Sequence, residues 1–115
     1  MTNVVNLVVM QCNLTKDPEC KDINGQRVCK LSLASNRVYK EKKETCFIEA
    51  YCWSGLNKVI EAYLNIGSHV LIEGRIKLDS WVSKEGENRY KHVIIINQLT
   101  MLPSGHKKQE ENNEI

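Results

Sequence analysis

The run from Val4 to Gln11 is almost continuously apolar and rich in β-branched residues, which predicts a first strand buried on both faces. Thr15-Lys16-Asp17-Pro18 ends it, and a loop leads to Asn24-Gly25, a dipeptide suited to a tight hairpin turn. After Arg27 the pattern alternates, with Leu31 and Leu33 set against Lys30 and Ser32. Val28 is out of step with that alternation, which predicts a bulge between it and Leu31. The polar stretch from Tyr39 to Glu44 reads as an exposed hairpin loop. Alternation then resumes from Thr45 to Trp53, with Cys46, Ile48, Ala50 and Cys52 on one face and Phe47, Glu49, Tyr51 and Trp53 on the other.

The period changes next. Leu56, Val59, Ile60, Tyr63 and Leu64 recur at helical spacing, Ser54 is placed to cap the helix, and Gly67 lies just past its end. Val70, Ile72, Ile76 and Leu78 then alternate with Glu73, Arg75 and Lys77, and Gly74 predicts a bend or bulge in that strand. Trp81 precedes a turn through Lys84-Glu85-Gly86-Glu87-Asn88, and Tyr90 to Leu102 forms the last strand around the apolar run Val93 to Ile96. Three strands, a helix and two strands are the order of an all-β OB-fold, a five-stranded Greek-key barrel with one helix between strands 3 and 4. The domain is expected over residues 1–103. Residues 104–115 carry no apolar side chain until Ile115 and are expected to be a disordered polar tail.

Composition narrows this further. The chain has 115 residues with 16 Lys+Arg against 14 Asp+Glu, a formal charge of +2 that by itself argues against a strongly basic nucleic-acid binder. Leaving out residues 106–115 raises the balance to +3, from 14 basic and 11 acidic residues. No apolar run is long enough to span a membrane, and Met1-Thr2-Asn3-Val4 lacks the basic region and apolar core of a signal peptide. The 5 cysteines (Cys12, Cys20, Cys29, Cys46 and Cys52) form no Cys-x-x-Cys pair and have no histidine at ligand spacing. They read as free thiols of a cytoplasmic protein, and neither metal nor cofactor is expected.

Aromatic and basic residues fall where an OB-fold binds oligonucleotides, on the face of strands 2 and 3 and in the adjoining loops. Tyr39 lies in the loop between strands 2 and 3, Phe47 and Trp53 share one face of strand 3, and Trp81 adjoins the loop between strands 4 and 5. Arg37, Lys40, Lys42, Lys43, Lys58, Arg75, Lys77 and Lys84 are interleaved with them. Rings restore stacking to the unstacked bases of a single strand, and cations meet its phosphates. That combination tolerates any base sequence, since every base has a π-face.

Over residues 3–102 the sequence resembles the bacterial-type single-stranded DNA-binding proteins. The resemblance rests on Asn6, on Asn13-Leu14-x-x-Asp17-Pro18-Glu19, and on Leu33-Ala34-Ser35 before a polar loop. It continues through Leu56 to Leu64, Gly67-Ser68, Ile72-Glu73-Gly74, Trp81, Gly86 and Arg89-Tyr90. It implies that Tyr39, Phe47, Trp53 and Trp81 are base-stacking rings, each position keeping a ring although the identities are shuffled. It also implies a non-catalytic, nucleoid-associated protein of replication, recombination and repair that coats single-stranded DNA as a homotetramer, or else a dimer.

Two departures follow. Glu49 stands where the resemblance implies a basic residue, which predicts weaker local affinity. The long linker and acidic Asp-Ile-Pro-Phe tip of the family are replaced by Gln109-Glu110-Glu111-Asn112-Asn113-Glu114-Ile115, which weakens the implication that the tail recruits replication proteins. Three other readings are open. One is a primosomal-type OB adaptor, another an RNA-binding OB module. The third is a nuclease holding Mg²⁺ on Asp17, Glu19 and Asp22, for which no accompanying acid–base or nucleophile motif is evident.

Overall fold

The strands close on one another through an unbroken set of hydrogen-bonded ladders. The computed structural model describes residues 3–53 and 55–103. Its elements are β1 (Val8–Leu14), β2 (Glu19–Ile23), β3 (Gln26–Tyr39), β4 (Lys42–Trp53), the helix α1 (Leu56–Tyr63), β5 (His69–Val82) and β6 (Asn88–Leu102). Their order in the sheet is β1-β5-β6-β4-β3-β2, and a further β1–β3 pairing closes the barrel. All ladders are antiparallel except β4 with β6, which is parallel. This is the OB-fold expected from the sequence, with the helix after the third barrel strand.

The segment expected to be a loop before Asn24 is partly a strand. β1 meets β3 at Leu14↔Leu33, and β2 continues along the same edge of β3 from Glu19↔Lys30 to Ile23↔Gln26. The two pieces therefore act as one bent barrel strand, interrupted near Pro18, which has no N–H to give a ladder. Asn24 and Gly25 turn the β2–β3 hairpin with φ of 51° and 82°, the left-handed pair that such a two-residue turn requires. The expected bulge between Val28 and Leu31 is absent, because β3 runs in continuous register against β4 from Val28↔Trp53 to Tyr39↔Lys42. Val28 lies instead on the outer face, buried among β2 and β4 neighbours including Ile23 and Tyr51. The exposed hairpin loop also shrinks to a turn at Lys40 and Glu41, with strands on either side of it.

The core gathers Cys12, Leu14, Leu31, Leu33, Ala50, Cys52, Val70, Ile72 and Ile94, and Ile60 and Leu64 of the helical segment plug one end. Ser54 lies outside the described residues, and the helix starts after Gly55 with no side-chain cap. Tyr63, expected on the packed face, is exposed, and Asn57 is buried in its stead, donating Nδ2–H to the Arg27 carbonyl at 2.5 Å. A helix this short cannot turn a full apolar stripe toward a narrow barrel mouth, so only part of the periodic set is covered. Asp17 accepts the Ile66 N–H at 2.7 Å and Gly67 N–H reaches the Leu14 carbonyl at 2.9 Å, tying the chain after the helix to the break in the first strand.

The predicted irregularity at Gly74 is present as a register shift between β5 and β6 at Glu73/Gly74. A Cβ at Gly74 would overlap the backbone carbonyl of Ile95, so glycine is required there by close backbone approach. Beyond it, Ile76 and Leu78 are exposed rather than core, because this half of the long β5–β6 hairpin extends past the packed interior.

Two expectations about burial and chemistry are corrected. The Val4–Gln11 segment is not covered on both faces: Val4, Val5, Leu7 and Val9 are exposed and only alternate residues from Val8 onward turn inward. Asn6 anchors this segment by exchanging two hydrogen bonds with the Ile76 backbone, at 2.8 and 3.0 Å. Nor are all the cysteines free. Cys20 and Cys29 face each other across β2 and β3 and form a disulfide, a pairing that depends on a strand the sequence pattern did not reveal. Cys12, Cys46 and Cys52 are free thiols. No helix among the described residues is long and apolar enough to cross a membrane.

Candidate nucleic-acid interface

Register across β3, β4, β6 and β5 sets which side chains share the outer face of the sheet. Phe47, Glu49, Tyr51 and Trp53 alternate outward on β4, opposite Ala34, Ser32, Lys30 and Val28 of β3. Glu49 and Tyr51 sit beside Val93 and Ile95 of β6, which in turn oppose Lys77 and Arg75 of β5. Further along the same hairpin face, Lys91 opposes Asp79 and Arg89 opposes Trp81. One continuous surface therefore carries Phe47, Trp53, Trp81, Arg75 and Lys77 from the set expected on sequence grounds. Lys43, opposite Val38, continues it toward the β3–β4 turn.

The rings on this surface are not core residues. Phe47 is 73% exposed, Trp81 43% and Trp53 39%, and Tyr39 at the β3–β4 turn is 60% exposed. Trp53 leans on Tyr51, with ring centroids 6.2 Å apart and planes tilted by 40°. Trp81 lies under the Lys91 ammonium at 5.2 Å, and Lys40 covers Tyr39 at 5.4 Å, both cation–π contacts. Arg37, Tyr39 and Lys42 alternate onto the opposite side of the β3–β4 hairpin from Phe47, so they adjoin the face only at its projecting tip. Lys84 lies in the exposed β5–β6 turn. The structure does not bring Lys58 to the rings: it lines a cleft with Gly25, Gln26 and Glu61 beside the β2–β3 turn.

Charge separates into two groups. None of the basic residues singled out from sequence forms an ion pair among the described residues. Lys30 and Lys91, which sequence reasoning missed as site residues, converge on Glu49. Lys91 Nζ donates to Glu49 Oε1 at 2.6 Å and Lys30 Nζ stands 4.0 Å from Oε2. The hydrogen bond from Lys91 holds the Glu49 carboxyl below its usual range, with Lys30 adding to the effect, and it raises Lys91 in turn. Glu49 is therefore an ion-paired carboxylate on the face rather than a bare negative charge, and it occupies two of the cations there. Lys30 was visible only as a polar position in an alternating strand, and the approach of Lys91 to Glu49 depends on the parallel β4–β6 ladder.

The carboxylates considered for Mg²⁺ have separate protein partners. Asp17 accepts from Ile66 N–H, Glu19 pairs with Lys16 and Lys30, and Asp22 pairs with Arg27. Glu61 lies near the sulfurs of Cys20 and Cys29, but sulfurs joined to each other present no thiolate to a metal.

The family model described as "Single-strand binding protein family" matches residues 5–102. A Wolinella succinogenes protein named "Single-stranded DNA-binding protein" is 34% identical, over 86% of this chain and 65% of its own length. One of the same name from Helicobacter hepaticus is 35% identical, over 93% of this chain and 68% of its own length. The chain thus spans about two thirds of the length of these two relatives. A solved structure titled "Plasmodium falciparum SSB complex with ssDNA" superposes with a TM-score of 0.82 over 90% of this chain and 99% of its own, at 20% identity, a likeness of fold.

Proposed function

The chain belongs to the Single-strand binding protein family, and from that premise we propose that it binds single-stranded DNA without catalysis. Bases stack on Phe47, Trp53 and Trp81, with Tyr39 extending the path at the hairpin tip. Arg75, Lys77 and Lys43 track phosphates along the same face, and Arg37, Lys40, Lys42 and Lys84 do so at the projecting turns. Lys58, in the cleft beside the β2–β3 turn, serves only a strand that wraps around the barrel. The observation that carries this reading is the exposure of Phe47, Trp53 and Trp81 on one register-defined face with Arg75, Lys77 and Lys43, which form no ion pair among the described residues. The names of the two bacterial relatives support the same reading.

Stacking is worth roughly 1–3 kcal/mol per base, and each neutralised phosphate adds about −0.7 to the salt slope. With so modest a net charge, stacking carries much of the affinity and the salt dependence is shallow. The exposed apolar Val4, Val5 and Leu7, ahead of β1, and Val9 within it support self-association through this segment. We read the working unit as a homotetramer, with a dimer as the smaller possibility, acting beside the chromosome in the cytoplasm during replication, recombination and repair.

The test is quenching of Trp53 and Trp81 fluorescence by a thymidine oligonucleotide across salt concentrations. Saturable quenching at low salt is expected, and its absence sinks the stacking reading. Equal or tighter binding of the matching uridine oligomer would redirect the reading to RNA.

A further inference from the structure

A shallow cavity of about 320 Å³ opens on the outer face between β3 and β4, lined by Thr15, Ser32, Phe47, Ile48, Glu49 and Lys91. Its parts differ in chemistry from the rest of the face. Phe47 offers a ring for stacking, Glu49 a carboxylate and Lys91 an ammonium, set side by side at 2.6 Å. Glu49 Oε1 accepts from Lys91 at 2.6 Å and, at the longer distance of 3.5 Å, from the Tyr51 hydroxyl, which a base donor would have to displace, whereas Oε2 has no hydrogen bond among the described residues and only the Lys30 ammonium at 4.0 Å. An ammonium has three donors, so Lys91 keeps N–H groups to spare. The depressed pKa of Glu49 keeps the carboxylate ionised at neutral pH and so acceptor-only.

A carboxylate beside an ammonium is a demanding partner for a base edge. Thymine presents acceptor, donor, acceptor, so two of its groups face the carboxylate unfavourably when its N3–H is engaged. Cytosine and adenine each present one amino donor next to a ring-nitrogen acceptor. Guanine alone presents two adjacent donors, N1–H and N2–H, followed by an acceptor, O6. The two donors match the two carboxylate oxygens and O6 matches the ammonium.

We propose that the Phe47–Glu49–Lys91 cavity is a guanine-preferring subsite within an otherwise sequence-tolerant binding face. The base stacks on Phe47, donates N1–H and N2–H to Glu49, and accepts at O6 from Lys91. Glu49 is then a specificity-determining residue that exchanges part of the phosphate attraction of the face for a base contact. This rests on the single-stranded DNA reading above.

The experiment compares a thymidine oligonucleotide with one of equal length carrying isolated guanines among thymines, a spacing that avoids quadruplexes, by tryptophan quenching. The guanine-bearing strand is expected to bind about tenfold more tightly, the low end of a bidentate base contact. Replacing guanine by hypoxanthine, which lacks the N2 amine, should remove most of that gain with the protein unchanged. Glu49→Gln should abolish the preference while tightening thymidine binding, since it frees Lys91 and Lys30 for phosphates. Equal affinity for the two strands overturns the subsite and leaves the general reading intact. A gain from isolated cytosines as large as that from guanines overturns the guanine assignment, and no binding to either strand overturns the general reading itself.

Discussion

Truncating Phe47 to alanine separates a ring that stacks on bases from a ring that holds the barrel together. The side chain is 73% exposed, so only about a quarter of its surface is withdrawn from water in the folded chain. For a side chain of about 200 Å² and ~25 cal/mol per Å², that burial amounts to roughly 1.3 kcal/mol as an upper bound. A core phenylalanine would instead cost about 3–5 kcal/mol on truncation. The expected outcome for Phe47→Ala is a melting temperature lowered by a few degrees at most, with affinity for a thymidine oligonucleotide weakened by ~1–3 kcal/mol, about 5- to 150-fold. The salt slope should stay unchanged, because no phosphate contact is removed. Leu31→Ala, in a fully buried position, is the control that should lower the melting temperature far more. Thermal denaturation and oligonucleotide titration at several salt concentrations on the same samples give all the readouts. A melting temperature that falls as far as that of Leu31→Ala, with affinity at saturating fold unchanged, would refute the stacking assignment.

Gly74→Ala should destabilise by about 2–3 kcal/mol, or roughly 10 °C or more in Tm, because the new methyl meets the Ile95 backbone, which cannot swing aside as a side chain would; thermal denaturation measures it. Titration with a thiol reagent at neutral pH without reductant should find Cys46 reacting fast. Cys12 and Cys52, buried and with pKa values pushed up to about 11, should react only on unfolding. The pH dependence of stability follows from Glu49 and Lys91. A carboxyl held below 4.5 contributes stability that is full above that value and lost as pH falls through the depressed folded pKa. An ammonium held above 10.5 contributes stability that is present below that value and lost as pH rises through the raised folded pKa. Glu49→Gln should therefore make the acid limb of a stability–pH curve shallower, although Glu19, also depressed by Lys30 and Lys16, leaves part of it in place. Unchanged limbs in denaturant titrations would show the pair to be inert.

The sequence by itself determined the period of the main barrel strands and the helix, and through it the barrel, but not the β2 strand before Asn24. Alternation from Thr45 to Trp53, helical spacing from Leu56 to Leu64 and the apolar run at Val93 are local patterns, and the covalent chain carries them whatever its surroundings. That Phe47 and Trp53 share a face opposite Ile48 and Cys52 was legible for the same reason, since neighbours in a strand must point opposite ways. What lay beyond local pattern was decided by contacts between segments far apart in the chain. The pairing of Glu49 with Lys91 requires a parallel ladder between β4 and β6, and the Cys20–Cys29 bond requires β2 to lie along β3. The exposure of Val5, Val9, Ile76 and Leu78 was equally hidden, because periodicity shows which side chains share a face and not whether anything covers that face. The net charge likewise gave no sign of the site, since the placement of cations and carboxylates relative to the rings is a property of the closed sheet.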